Sequence, residues 1–308
     1  MKRRMLVPVL AGIVAVALTG CLDWVEQTMT YRHDPKTDTV RIFQQYHGLF
    51  ASEGEGELSK EETEQFDSVM KGQRTFFFAN WVTEFNRAQL EEELAKSTAS
   101  TPDGDGEELA RKQALKRDLE VLLKLALDNV RVENGSFYVD AQQRLSGTQR
   151  VTIGKFSQIV ASANRVLRQV FAGEAAKPEK SDEERAALKR WLDRKEDNVV
   201  ISGNRLLLRL PMTRAAYEKD FVNGEKSEKT HRALVAGGGE RKYENDAMTI
   251  RVGAVADAQV SVRLPVSDKV YRENFRKFVQ GRKLVVEGFK PAAALAEFLE
   301  AKTDGGKR

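Results

Sequence analysis

The sequence predicts an α+β fold in which antiparallel hairpins are each followed by a helix. Three observations carry that prediction. Short segments with two-residue alternation recur beside turn-forming dipeptides. Longer segments with apolar residues three and four apart follow them. A strand-to-helix pattern also occurs twice, at residues 209–221 and 263–275.

The first elements are strands. Trp24 to Tyr31 and Thr39 to Phe50 flank the turn His33-Asp34-Pro35-Lys36. In the second, Val40, Ile42, Tyr46 and Phe50 share one face, with Thr39, Arg41, Gln45 and His47 on the other. That alternation predicts a half-buried strand. Ser59 and Glu62 form a capping box opening a helix through Phe66, Val69 and Met70 toward Gly72. Phe76, Phe77, Phe78, Trp81, Val82 and Phe85 are the most aromatic stretch. It reads as a strand leading to a helix capped by Asn86, favoured over one helix throughout because aromatics cluster there without charges, and as core or an apolar-ligand patch. Residues 97–106 read as a polar linker.

A helix over Glu107 to Leu125 carries Leu115, Leu119, Leu122 and Ala126 on one stripe. Asn134-Gly135, between Val130–Glu133 and Phe137–Val139, predicts a hairpin with a type I′ turn. A strand near Gln149 to Ile153 leads to the most periodic helix, with Phe156, Ile159, Val160, Ala163, Val166, Leu167, Val170 and Phe171 on one face. Gly173 and Pro178 are expected to end it, and Asp182 to Lys195 makes a shorter helix burying Leu188, Trp191 and Leu192.

The repeat fills the last third. Arg209-Leu-Pro-Met-Thr213 with Tyr217 and Phe221 matches Arg263-Leu-Pro-Val-Ser267 with Tyr271 and Phe275. Pro ends each strand, the hydroxyl caps a helix, and Tyr and Phe fasten that helix to its sheet. Each copy is expected to follow a hairpin, Val199 to Leu210 turning at Gly203-Asn204 and Met248 to Leu264 turning near Ala256-Asp257. Asn223 to Asp246 reads as a polar loop, and Leu284 to Val286 with a helix from Pro291 to Ala301 closes the chain. The expected organisation is a signal peptide at 1–20, an N-terminal α+β region at 21–106 and a C-terminal α+β region of ββα units at 107–308.

The N-terminus has its own pattern. Lys2-Arg3-Arg4 precede an apolar segment from Met5 to Ala17, and small residues then lead to Cys21, the one cysteine in 308 residues. These are the three zones of a secretory signal peptide. The segment is short against the roughly 20 residues a membrane-spanning helix needs, and Pro8 interrupts it. Leu18-Thr19-Gly20-Cys21 resembles the lipobox of bacterial lipoproteins. The resemblance implies cleavage between Gly20 and Cys21, acylation of Cys21, and a membrane-anchored place in the cell envelope. Leu22, rather than Asp, after the cysteine implies the outer membrane by the same resemblance.

Composition narrows the function. Removing residues 1–20 takes three of 50 cations and none of 46 acids, leaving 47 against 46. A mature chain so balanced has no global field for nucleic acid, and no nucleic-acid partner is expected. With Cys21 committed to lipid there is no disulfide, thiol nucleophile or thiolate metal site. The histidines, His33, His47 and His231, read as solvated. No Gly-x-Ser-x-Gly elbow, phosphate loop, HExxH or dinucleotide fingerprint occurs. Asp103-Gly-Asp105-Gly fails as a calcium loop because Glu108 stands where Gly is required. Ser68 and Lys71 have the Ser-x-x-Lys spacing of penicillin-recognising enzymes without the Lys-Thr-Gly partner. No catalytic residue, metal site or cofactor is assigned. The expectation is a lipoprotein that binds a protein partner or assists assembly at the envelope. The alternatives are a carrier of a lipid or other apolar ligand at the aromatic patch, and a hydrolase using carboxylates.

Overall fold

The computed structural model describes residues 22–51, 57–75, 85–223, 239–253, the backbone of 260–265, and 271–300. In chain order the elements are β1 (Leu22–Asp34), β2 (Thr39–Ala51), α1 (Lys60–Met70), α2 (Arg87–Ala99), α3 (Gly106–Asn129), β3 (Val130–Val139), β4 (Leu145–Ile153), α4 (Phe156–Ala175), α5 (Asp182–Arg194), β5 (Val199–Ser202), β6 (Arg205–Pro211), α6 (Arg214–Tyr217), β7 (Glu240–Glu244), β8 (Ala247–Val252), β9 (Val260–Pro265), α7 (Asn274–Gly281) and α8 (Pro291–Glu300). Mixed helices and antiparallel sheets with strand-then-helix units make the class α+β. Two compact units interleave along the sequence: 1–88, 129–154 and 259–308 form one, and 89–128 with 155–258 the other.

The first unit holds a five-stranded sheet in the order β3-β4-β2-β1-β9. Chain-adjacent β1 and β2 form its central hairpin, and β9 joins from far along the sequence, antiparallel to β1. One face carries the core. Leu22, Trp24, Tyr46, Leu49, Phe66, Phe137, Phe275 and Val279 cluster there, all at most 4% exposed. Phe66 of α1 is its hub, with ring centres 5.9 Å from Phe137, 5.7 Å from Phe275 and 5.4 Å from Phe278. Each fully buried aromatic contributes on the order of 1.5–3 kcal/mol, with about 0.5–1.5 more for each well-placed ring pair. The Ser59–Glu62 capping box opens α1 as expected.

Strand β2 departs from simple alternation. Tyr46 and Leu49, three apart, enter the same core, so the side-chain order changes face between them. Gly48 permits this with φ +67°, and a Cβ there would lie 2.9 Å from Val25 Cγ2. The opposite face is also covered: Phe43 is 1% exposed and its ring lies 6.3 Å from Phe298 of α8. The half-buried reading of β2 is thereby corrected to a strand buried on both faces. His33, expected in a solvated turn, lies within β1, paired with Val40, at 7% exposure.

Asn134-Gly135 is not a turn. Strand β3 runs through it with a bulge between Asn134 and Phe137, pairing with β4 on both sides. Neither residue has positive φ. The glycine serves close approach instead, since a Cβ at Gly135 would sit 2.0 Å from Thr148 Oγ1, which accepts from Ser136 N at 3.1 Å. The turn comes later. Asp140 Oδ1 accepts from the backbone of Gln142 (2.9 Å) and Arg144 (2.8 Å), and Gln143 takes φ +59°.

The second unit holds a four-stranded sheet in the order β5-β6-β8-β7. The hairpin at Gly203-Asn204 forms as expected, with Gly203 at φ +58°. The hairpin expected from Met248 to Leu264 does not. Its first half, β8, pairs with β6 and β7, and its second, β9, with β1 of the other sheet. The expected loop at 223–246 contains β7, and the turn joining β7 to β8 is Asn245-Asp246, at φ 54° and 55°. Helix α4 is clipped to the edge strand β5 by one side chain: Asn164 Nδ2 donates to Val199 O and Asn164 Oδ1 accepts from Val199 N, both at 2.8 Å. That pair imitates a strand partner and blunts an exposed edge. Helix α4 continues past Gly173 to Ala175, and α2 runs into the expected linker as far as Ala99.

The two motif copies differ. Pro211 and Pro265 each end a strand, and Thr213 caps α6 by accepting from Ala216 N at 3.1 Å. A π-helical turn over Glu218–Val222 continues α6. In the second copy Tyr271 lies ahead of α7 rather than within it, and Ser267 lies outside the described residues.

Candidate functional site

A row of uncharged polar side chains crosses the buried face of the five-stranded sheet. Strand pairing sets Asn134 of β3 opposite Gln149 of β4, and Gln149 opposite Gln44 of β2. Tyr46 and Gln27, themselves paired, stand in the next row. Gln27 is 1% exposed, and Gln44, Tyr46 and Gln149 are all 0%.

These groups form one chain of hydrogen bonds. Asn134 Nδ2 donates to Val69 O at 2.5 Å, and Gln149 Nε2 donates to Asn134 Oδ1 at 2.9 Å. The Tyr46 hydroxyl lies 3.0 Å from Gln149 Oε1 and 2.5 Å from Gln44 Oε1, and Gln27 Nε2 lies 2.5 Å from Gln44 Oε1. Gln27 Oε1 and Gln44 Nε2 have no partner. Apolar side chains flank the row along the strands, Met29, Ile42 and Val151 on one side and Trp24 and Leu49 on the other, all at most 4% exposed. Buried polar groups left open cost about 1–3 kcal/mol each, so this belt is expensive unless something completes it. The four amides of the belt do not titrate, and what they offer is hydrogen-bond donors and acceptors.

The belt lies at the base of the aromatic stretch. Thr75 N donates to Phe85 O at 2.9 Å, Phe85 N to Thr75 Oγ1 at 3.2 Å, and Arg87 N to Gln73 O at 2.8 Å. These bonds pin 73–75 to 85–87, and Gln149 Nε2 also reaches Arg74 O at 3.4 Å. Of the predicted patch, Phe85 is placed here at 5% exposure with the Arg87 guanidinium 5.5 Å from its ring centre. Phe76, Phe77, Phe78 and Trp81 lie outside the described residues, as do Gly20 and Cys21.

The second unit carries a separate aromatic cluster. Tyr217 stacks on Phe221 at 6.1 Å and meets Tyr243 of β7 at 5.4 Å. Arg214 lies 5.3 Å over Tyr243 and Arg241 5.6 Å over Phe221. All three rings are half-buried, and neighbouring Val222 is 54% exposed. Tyrosine and arginine at an accessible position are the composition of a protein-binding hot spot.

A few titratable groups among the described residues are shifted by burial. Burial pushes the Tyr31 and Tyr138 hydroxyls up to about 12. Burial also lowers His47, whose Nε2 lies 3.1 Å from Thr28 Oγ1, so it is held in strand pairing rather than solvated as expected. His231 lies outside the described residues, and Ser68 and Lys71 sit at the end of α1 with the lysine exposed. Among the described residues no three His, Asp or Glu side chains converge to hold a metal ion.

The amide belt was missed in the sequence, although one signal was present. Gln44 falls between Ile42 and Tyr46 on the face assigned to the core, where a polar residue needs a partner. No protein-family model, curated protein or solved structure matches the chain.

Proposed function

We propose that the mature protein is a lipid-anchored envelope module, held by acylated Cys21 close against the membrane, that works by binding a protein partner rather than by catalysis. The observation that supports it is the start of β1. Leu22, the residue after Cys21, is 1% exposed, pairs with Ala51, and packs in the core. No tether intervenes, so an anchor at Cys21 would hold the first unit at the bilayer surface with little freedom to roam. Two or three acyl chains suffice for lasting attachment, whereas one is marginal. No helix among the described residues is long and apolar enough to cross a membrane. The half-buried Tyr217, Phe221 and Tyr243 with their arginines are the surface on which we place the partner. By the lipobox resemblance, the outer membrane is the expected location.

A second reading, a carrier of an apolar ligand at Phe76, Phe77, Phe78, Trp81 and Phe85, draws on the pinned base of that stretch, where Gln149 Nε2 reaches Arg74 O.

Replacing Cys21 with Ser tests the anchor. The variant is expected to keep its circular dichroism and melting profile, to lose incorporation of labelled palmitate, and to leave the membrane pellet. Persistence in the pellet after a salt wash would sink the proposal. Cross-linking in intact cells, then detergent extraction and mass spectrometry, tests the role. One protein recovered in near-equal amount supports binding, and bound lipid without a protein supports the carrier.

A further inference from the structure

The hydroxyl of Tyr46 has one hydrogen but faces two amide oxygens, Gln149 Oε1 at 3.0 Å and Gln44 Oε1 at 2.5 Å. It cannot donate to both. The oxygen and nitrogen of an amide are exchangeable assignments, so one of the two glutamines presents its nitrogen instead. Gln149 is fixed. Its nitrogen donates to Asn134 Oδ1, and Asn134 is fixed in turn because its own nitrogen donates to the Val69 carbonyl. Turning Gln149 would set two amide oxygens against each other, or, with Asn134 turned as well, an amide oxygen against that carbonyl.

Gln44 is therefore the one that turns, giving its nitrogen to the Tyr46 oxygen. Gln27, 2.5 Å away, must turn with it so that an oxygen meets that nitrogen. The result is a chain of donors running from Gln44 through Tyr46, Gln149 and Asn134 to the Val69 carbonyl. What remains open does not change in kind. Before the turn the unpartnered atoms are Gln27 Oε1 and Gln44 Nε2; afterwards they are Gln27 Nε2 and Gln44 Oε1. Either way one donor and one acceptor stay open on side chains 1% and 0% exposed.

We propose that the open edge of the Gln27–Gln44 pair is a binding site for one neutral hydroxyl, belonging to a water molecule or to an alcohol-bearing apolar ligand. A hydroxyl both accepts and donates, which is what the two atoms require. A carboxylate or phosphate offers acceptors alone and an ammonium donors alone, and any of these buried against uncharged amides leaves its charge uncompensated. A hydroxyl that reaches both atoms removes two penalties, and buried water in proteins binds where two to four polar partners converge.

The intact chain, selectively labelled with 15N-glutamine, tests this by cross-relaxation from side-chain amide hydrogens, with Gln27→Met and Gln44→Met used only to assign the signals. The expected result is slow solvent exchange of both amides together with direct cross-relaxation from at least one of them to a guest. A cross-peak to the water resonance identifies a held water. A cross-peak to aliphatic protons that is lost after organic extraction identifies the hydroxyl of a ligand. Protected amides with cross-relaxation to protein hydrogens alone would overturn the proposal, as would rapid exchange, which would place the amides in open solvent.

Discussion

The two sheets carry the same kinds of sequence signal to different ends. In the five-stranded sheet both faces of β2 are covered, and Tyr46, Leu49 and Ala51 are all 0% exposed. In the four-stranded sheet Leu206, Leu207 and Ile250 stay half-buried, and an exposed charge ladder runs between β8 and β7, where Arg251 meets Glu240 at 3.3 Å and Glu244 at 2.9 Å. One copy of the repeat enters each sheet. Phe221 rests half-buried on Tyr217, whereas Phe275 is 0% exposed among Phe66, Phe137 and Phe278. The motif sets where a strand stops. The depth of the sheet it joins sets what its aromatic residue contributes.

The largest test of that difference is a pair of truncations. Phe275→Ala should cost about 3–5 kcal/mol, the range for a large aromatic removed from a packed core. Phe221→Ala should cost about 1 kcal/mol, through the lost ring stack and the Arg241 contact. Urea denaturation followed by tryptophan fluorescence reads both, since Trp24 lies in the Phe275 core and Trp191 is buried in the other unit. Equal costs would mean that depth is not what separates the copies.

The turns sharpen the same contrast. Asn134-Gly135 has the better type I′ sequence yet lies inside a strand, while Asn245-Asp246 makes the turn with φ positive at both residues. The reason is local to each site. Asn134 is drawn into the amide belt, Gly135 makes room for Thr148, and Asp140 supplies a competing turn with its carboxylate. Gly135→Ala should therefore destabilise by about 1–3 kcal/mol through crowding rather than backbone strain. Thr148→Ala added to it should recover part of the loss. A turn glycine with positive φ would give no such recovery.

These cases show what was legible. Local signals read correctly: the capping box at Ser59, the hairpin at Gly203, the cap at Thr213, and the amphipathic course of α4 and α5. The hairpin misplaced at Met248 to Leu264 has another cause, which is pairing between residues distant in sequence. Nothing in Val260–Pro265 announces that it will join β1 rather than β8, because an apolar strand is compatible with either sheet. The belt was hidden for a related reason. Asn134, Gln149, Gln44 and Gln27 are unremarkable one at a time, and only strand register brings them into a row. Removing just one partner of that row should show its linkage, but the smaller effects lie in the other sheet.

There the first copy of the repeat is held by its cap. Thr213→Ala should cost about 1 kcal/mol, and Thr213→Ser should restore most of it, because the hydroxyl to Ala216 N is what is lost. Thermal melts of the three proteins separate this from a packing effect, which Ser would not rescue.

The smallest contribution comes from the turn beneath that cap. Asp246 O accepts from Met212 N at 2.9 Å, next to Thr213, while its carboxylate accepts from Arg190 at 2.8 and 3.0 Å and from Arg194 at 3.2 Å. The Arg190 hydrogen bond holds this carboxyl below its ordinary value of 3.8, with the charges of Arg190 and Arg194 adding to the effect. A carboxyl lowered on folding stabilises the native state at every pH above the unfolded value. That contribution is lost as the pH falls through the folded value. Asp246→Asn keeps the backbone acceptor and tolerates positive φ, so it isolates the ion pair. The variant should be less stable than the parent at pH 7 by at most about 1 kcal/mol, since Arg190 is half exposed and solvent screens the pair. The gap should begin to close near pH 3.8, vanish once the parent carboxyl is protonated, and shrink in high salt. A gap that held constant into acid would assign the role of Asp246 to the geometry of its turn and leave the arginines as bystanders.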